Sequence, residues 1–273
     1  MTSNTAIIVP IYNAPDVLSA CLAALASSLR PGAATVLLID DCSTDPGVAD
    51  ILASQPSEWI QVRNQRNLGF VASANMGFAL AGRAEVVLLN SDTEVTGGWL
   101  EALLQCAASD SSIASITPLT NHGEIASIPE FCRPNPWPED ADRWARACRE
   151  SGPPLYPTVP TGVGFCMYLR RACLDAIGVF DELTYGRGYG EENDWCCRAA
   201  AAGWRHVLCD SAFVAHRGGA SFGPLGLKPG GQAMTSLLQR YPDYLQQVGA
   251  FIESDPMAER RARITEYYRQ LAA

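Results

Sequence analysis

The chain lacks several signatures that would settle its class at once. It has no GxGxxG after its first apolar run, so the dinucleotide-binding fingerprint is absent. It has no GxxxxGK[ST], which argues against a P-loop kinase or ATPase. No apolar run approaches the roughly 20 residues that span a bilayer. Residues 1–11 lack the basic start and long apolar centre of a signal peptide. Cations are scarce too: 20 Lys and Arg stand against 29 Asp and Glu, a net charge of −9. Nucleic-acid binding relies on basic residues neutralising phosphates, so this balance argues against such a partner. The ten Cys contain no CxxC pair and several sit in apolar company, as Cys21, Cys106, Cys166 and Cys173 do. They read as reduced, buried thiols in a cytoplasmic protein.

What is present is a 273-residue chain, 48% hydrophobic, of a length for one large α/β domain with a helical addition. Its centre is Val86-Val87-Leu88-Leu89-Asn90-Ser91-Asp92-Thr93-Glu94-Val95. Four apolar residues in a row predict a strand buried on both faces, as in parallel sheets. The run ends in short polar residues, and ligands of open α/β sheets sit at the carboxyl ends of strands. If the chain stays extended, Asn90 and Asp92 project to one side and can grip a hard divalent cation. Asn-Ser-Asp-Thr is equally ordinary turn chemistry.

Around this strand the pattern alternates. Strands are predicted at 6–9, 35–39, 59–62 and 113–116, and helices at 15–29, 48–53, from 67 and 98–108. Alternating β and α predicts a parallel sheet with both faces covered. Residues 117–160 are proline-rich but carry Phe131, Trp137, Trp144 and Tyr156, too many aromatics for a disordered spacer. They read as a long functional loop over the mouth of the sheet, with a short helix near 140–149. A strand at 162–169 and a helix ending before Gly178 follow. The glycine loop Gly186-Arg187-Gly188-Tyr189-Gly190 then precedes Glu191-Glu192-Asn193-Asp194, which opens an amphipathic helix. Acidic residues at a helix start are also what the macrodipole favours. Two strands, 206–208 and 212–216, end at His216-Arg217-Gly218-Gly219-Ala220-Ser221. The ligand and core readings of His216 stand about even. Residues 232–273 read as three helices. The last carries Arg260, Arg261, Arg263 and Arg269, and has two readings: contact with an anionic membrane face, or packing on its own domain or a second subunit in a homodimer.

In order, Val9-Pro10-Ile11-Tyr12-Asn13, Ile39-Asp40-Asp41-Cys42-Ser43-Thr44-Asp45, Asn67-Leu68-Gly69-Phe70 with Asn75-Met76-Gly77, Leu89-Asn90-Ser91-Asp92-Thr93-Glu94, Gly190-Glu191-Glu192-Asn193-Asp194-Trp195 and Ala215-His216-Arg217-Gly218-Gly219 together resemble the family-2 glycosyltransferases. The resemblance covers about residues 5–225. It implies a GT-A fold, an α/β domain whose mostly parallel, Rossmann-like sheet is flanked by helices. The expected division is a glycosyltransferase domain over 1–231, with a nucleotide-sugar half at 1–116 and an acceptor half at 117–231, and a C-terminal helical tail at 232–273. The resemblance further implies a nucleotide-sugar donor, a divalent cation (Mg²⁺ or Mn²⁺) and inversion at the anomeric carbon. From Gly162 to Ser221 the chain looks most like bacterial enzymes of O-antigen, capsule and surface-polysaccharide assembly. That implies a UDP- or dTDP-sugar donor, a glycan or lipid-linked glycan acceptor, and a place in the cytoplasm or at the inner face of the membrane.

Carried over by position, Pro10, Tyr12 and Asn13 line the nucleotide pocket. Asp41, with Asp40 beside it, accepts from the base, and Asn67, Gly69 and Asn75 border base and ribose. Asn90-Ser91-Asp92 stands at the family's DxD, with Asn for its first Asp, which leaves Asp92 as the main carboxylate ligand. His216 falls where some members add a metal ligand. Glu192 holds the second position of the family's acidic pair, where the catalytic base is expected; Glu191 is its competitor and Asp194 orients the loop or the base. Arg217 is a candidate helper for the leaving group. A nucleotidyltransferase and a degenerate nucleotide-sugar-binding module are the rival readings.

Overall fold

The computed structural model describes residues 4–186, 188–218 and 231–272. Arg187 of the glycine loop and Gly219, Ala220 and Ser221 of the last motif lie outside the described residues.

The first half alternates as the pattern predicts: β1 (Thr5–Ile11), α1 (Pro15–Ser28), β2 (Thr35–Asp40), α2 (Pro46–Ala53), β3 (Ile60–Arg63), α3 (Phe70–Leu80) and β4 (Glu85–Leu89). These four strands pair in parallel in the order β3-β2-β1-β4. β1 is buried along its whole length because helices cover both faces. Its side chains alternate between two cores. Ile7, Val9 and Ile11 join the one beneath α1, while Ala6 and Ile8 join the one beneath α3. The α3 contact requires Gly77, where a Cβ would sit 2.3 Å from Cγ2 of Ile8.

The second half departs from simple alternation. It comprises β5 (Thr93–Val95), α4 (Trp99–Ser109), β6 (Ile113–Leu119), a 3-10 turn (Glu124–Ala126), α5 (Ala141–Glu150), β7 (Thr158–Val159), β8 (Cys166–Leu169), α6 (Arg171–Ile177), α7 (Glu182–Tyr185), α8 (Glu191–Ala201) and β9 (Arg205–His216). β8 runs antiparallel between β4 and β6, so the sheet is parallel on one side and mixed on the other. β9 is one twelve-residue strand where two short ones were expected. Its inner stretch pairs with β6, and its end, Val214–His216, pairs antiparallel with β5. The expected break at 209–211 is a bulge within the strand: the ladder with β6 steps from Pro118 opposite Cys209 to Leu119 opposite Phe213, and Asp210 is satisfied inside the protein. Its carboxylate accepts from the backbone N–H groups of Leu155 and Tyr156 and from Arg260.

Three helices close the described chain: α9 (Gly231–Arg240), α10 (Tyr244–Ser254) and α11 (Ala258–Gln270). α11 packs on α5, with Tyr268 stacked on Trp144 at 3.9 Å between ring centres. Arg260, fully buried, donates to Asp210, Ser151 and the carbonyl of Cys148. Arg261 pairs with Asp255 and lies over Phe131. Two of the four arginines in the membrane reading therefore face the protein's own groups. Among the described residues no helix is long and apolar enough to cross a membrane.

Candidate active site

A cavity of about 530 Å³ opens at the carboxyl ends of the parallel strands, where a crevice is expected in such a sheet. One wall comes from the first half of the chain. Pro10 lies near the end of β1 and Tyr12 just past it, Asp41 follows β2, and Asn67 and Gly69 precede α3. Asp41 is 3% exposed. Its Oδ1 accepts from Asn64 Nδ2 and the N–H of Leu68, and its Oδ2 from the N–H of Gly69 at 2.7 Å. This carboxylate thus shapes the 64–69 loop, and a lone pair of Oδ2 remains for a ligand.

Three residues expected in this wall lie outside the cavity lining. Asn13 Oδ1 accepts from the backbone N–H groups of Thr44 and Asp45 and so folds the β2–α2 connection. Asp40 accepts from Ser43 N and pairs with Arg63 at 2.6 Å. Asn75 exchanges two hydrogen bonds with the backbone of Phe180. Each is an internal brace, a use that short polar side chains near strand ends share with ligand binding.

Asn90, Ser91 and Asp92 all line the cavity, but the chain does not stay extended there. It turns, with Thr93 N donating to Asn90 O. The turn sends Thr93 into β5, opposite His216 in the β5–β9 ladder. This pairing brings Asp92 Oδ1 to 3.4 Å from His216 Nε2. His216 Nδ1 lies 2.6 Å from the carbonyl of His122, which can only accept, so Nδ1 carries the proton and in the neutral ring Nε2 presents its lone pair. Asn90 Oδ1 is buried and has no hydrogen-bond partner among the described residues.

The opposite wall is acidic. Glu191 and Glu192 both line the cavity at the start of α8, whose preceding Gly190 has φ 99°, a left-handed conformation that glycine adopts freely. About 100° separates successive side chains on a helix. In the structure the two are neighbours, and the buried Oε2 of each has no hydrogen-bond partner among the described residues. Burial pushes both up from the ordinary carboxylate range, and the charge of Glu192 pushes Glu191 further. Asp194 does not reach the cavity. It is fully buried and pairs with Arg198 at 2.8 Å and Arg240 at 2.9 Å. Arg217 is also held aside, over the Trp137 ring at 4.0 Å and paired with Glu94.

Several lining residues had no local signal in the sequence. His122 and Glu124 come from the proline-rich excursion, and Glu124 has φ 48°. Tyr189 lines the cavity too, and burial, with the charges of Asp92, Glu191 and Glu192, pushes its phenol up. Leu237, Tyr244 and Leu245 come from the C-terminal helices.

The family model described as "Glycosyl transferase family 2" matches residues 6–178. The chain belongs to glycosyl transferase family 2. It is similar to an uncharacterised protein of Mycobacterium tuberculosis, 28% identical over 199 residues, 71% of this chain and 68% of that one. It is also similar to the pre-mycofactocin glycosyltransferase of the same organism, 27% identical over 214 residues, 78% of this chain and 42% of the relative. Among solved structures, GalNAc-T7 crystallised with UDP, GalNAc and Mn²⁺ superimposes with a TM-score of 0.65 at 16% identity, over 96% of this chain and 54% of that one. At that identity the likeness supports the GT-A fold. The family membership makes the chain a glycosyltransferase.

Proposed function

We propose that this family-2 chain transfers a sugar with inversion from a UDP- or dTDP-sugar to a hydroxyl of a glycan or glycolipid acceptor. The observation that carries the reading is the meeting, across one cavity, of Asp92, His216 and Asn90 with the Glu191–Glu192 pair. The first three suit a divalent cation. Asn90 Oδ1 is a buried acceptor lacking a partner, and His216 turns its lone-pair nitrogen to the Asp92 carboxylate. Oxygen donors with one imidazole fit Mg²⁺ or Mn²⁺. No cluster of three His, Cys, Asp or Glu exists among the described residues, so the cation would share its shell with the donor's phosphates. Once bound, it would stabilise the charge gathering on the nucleoside diphosphate.

The chain's own residues do the rest. Asp41, braced by the 64–69 loop, accepts from the imide N–H of uracil or thymine. Glu192 takes the proton of the attacking hydroxyl. Its carboxyl group borders Gly164, where a Cβ would lie 3.8 Å from it. Its raised affinity for a proton makes it a stronger base than an ordinary carboxylate. Glu191, more deeply buried and adjacent to Glu192, positions that carboxyl group. A direct displacement needs one base and no covalent intermediate, which accounts for inversion. Assembly of a surface polysaccharide is the setting this acceptor class fits, and the division at residue 231 into a transferase domain and a tail is part of the same reading.

Transfer tested with a panel of nucleotide sugars, wild type beside Glu192→Gln, examines the proposal. Glu192→Gln should keep nucleotide affinity while turnover falls by roughly 10²–10⁴-fold. Near wild-type turnover in Glu192→Gln, with a dead Glu191→Gln, would exchange the two roles.

A further inference from the structure

The cavity has a third wall that neither the nucleotide nor the base accounts for. α9 is tied to the base-bearing helix. Arg240, at its end, donates to Asp194 on α8 and to Asp181 and Thr184 beside α7. Its start approaches the same helix, since a Cβ at Gly190 would lie 3.7 Å from Cβ of Ala233. α10 follows past Pro242, and its buried Tyr244 lines the same cavity as Thr161 and Glu192. So tied, the two helices turn Met234, Leu237, Tyr244, Leu245 and Val248 into the cavity, facing Val163. The spacing 234, 237 and 244, 245, 248 is one face of each helix. Leu245 remains 52% exposed, an apolar side chain left wet at the cavity wall.

Among the described residues, the Asp, Glu, Lys and Arg side chains that line the cavity are all acidic. Glu124, Glu191 and Glu192 lie beside it, and no Lys or Arg lines the cavity among the described residues. A phosphate or carboxylate next to the accepting hydroxyl would meet these carboxylates with no Lys or Arg of the described lining to offset them. An uncharged apolar body would instead gain by covering the wall.

We propose that α9 and α10 form an acceptor subsite for a neutral molecule whose accepting hydroxyl is carried next to an apolar body, rather than for a free sugar or a phosphate-linked glycan. The inference rests on the transferase reading, because it takes Glu192 as the point to which the hydroxyl must come. It makes the C-terminal helices a specificity element of the transferase.

The test is calorimetry on the full chain, in two separate titrations. UDP with Mn²⁺ alone examines the donor site and so the transferase reading. Methyl, butyl, hexyl and octyl β-D-glucosides, kept below their micelle concentrations, examine the subsite. Affinity should tighten about two- to fourfold per added methylene until the wall is covered, in line with the gain per buried methylene. Leu245→Ser, at a half-exposed position that leaves the fold intact, should flatten that slope while UDP affinity stays unchanged, and Met234→Ser should do the same. Octyl phosphate should bind more weakly than octyl glucoside. Equal affinity along the series, an undiminished slope in both variants, or tighter octyl phosphate binding would overturn the proposal whatever UDP does.

Discussion

The buried ion pair between Arg260 and Asp210 gives a sharp test of how the C-terminal helices are held. Both side chains are fully buried, with Nε and Oδ2 2.7 Å apart. Arg260→Met keeps an apolar stem of similar length but strands the Asp210 carboxylate in the interior, where two backbone N–H groups are its remaining donors. Removing one partner of a buried pair costs about 3–5 kcal/mol, because the other charge stays desolvated. For a chain of this size that is a fall in Tm of roughly 6–10 °C. Asn in place of Asp210 still accepts from Leu155 and Tyr156 but carries no charge. Arg260→Met with Asp210→Asn should therefore recover about half of the loss, by the same reasoning. Urea unfolding at pH 7 for the three proteins measures it. A single variant within 1 kcal/mol of wild type, or a double variant no better than the single, would show that the pair does not anchor α11 as argued.

Three further outcomes follow from the site and its supports. Burial lowers His206 to about 4, and as a neutral ring it bridges Ser115 and the carbonyl of Cys196. Its folded value lies below the unfolded one near 6.5, so the folded state binds fewer protons between the two. Stability should be full above about pH 6.5 and fall by about 3 kcal/mol as the pH drops to 4, a slope that His206→Gln should remove in pH-dependent urea titrations. Glu191 and Glu192 have the opposite sign. Their raised values make the folded state hold protons that the unfolded chain releases, so their contribution is present below about pH 4.3 and lost as pH rises. The rising limb of kcat/KM should accordingly lie above the ordinary carboxylate range, and Glu192→Gln should be more stable than wild type at pH 8 though inactive; a limb near pH 4 contradicts both. Asp41 should favour UDP over CDP by about tenfold to a hundredfold, because neutral cytosine has no imide N–H to donate. Equal affinities in calorimetry would remove Asp41 from base recognition.

The parallel half of the fold was legible because its signals are local. Apolar runs, Pro15 at a helix start and polar strand ends lie within a few residues of one another. Pro10, Tyr12, Asp41, Asn67, Gly69, Asn90, Ser91, Asp92, Glu191, Glu192 and His216 line one cavity for the same reason, since strand ends in such a sheet converge. What escaped depends on partners far along the chain. The reversal of β8, the β5–β9 ladder that sets Asp92 against His216, and the Arg240–Asp194 tie join segments with no shared local pattern. Asn13, Asp40 and Asn75 show the converse. Their residue types suit a ligand and a brace equally, and only the partners they meet separate the two.

On the proposed function, Asp92 and His216 serve a cation that helps hold the donor's diphosphate. Titration of UDP into the protein with and without Mn²⁺, for wild type and Asp92→Ala, addresses it most directly. Wild type should bind UDP more tightly with Mn²⁺, Asp92→Ala should lose that increment, and His216→Ala should lose part of it, since water can replace one ligand. Metal-dependent UDP affinity that is unchanged in Asp92→Ala would contradict the account.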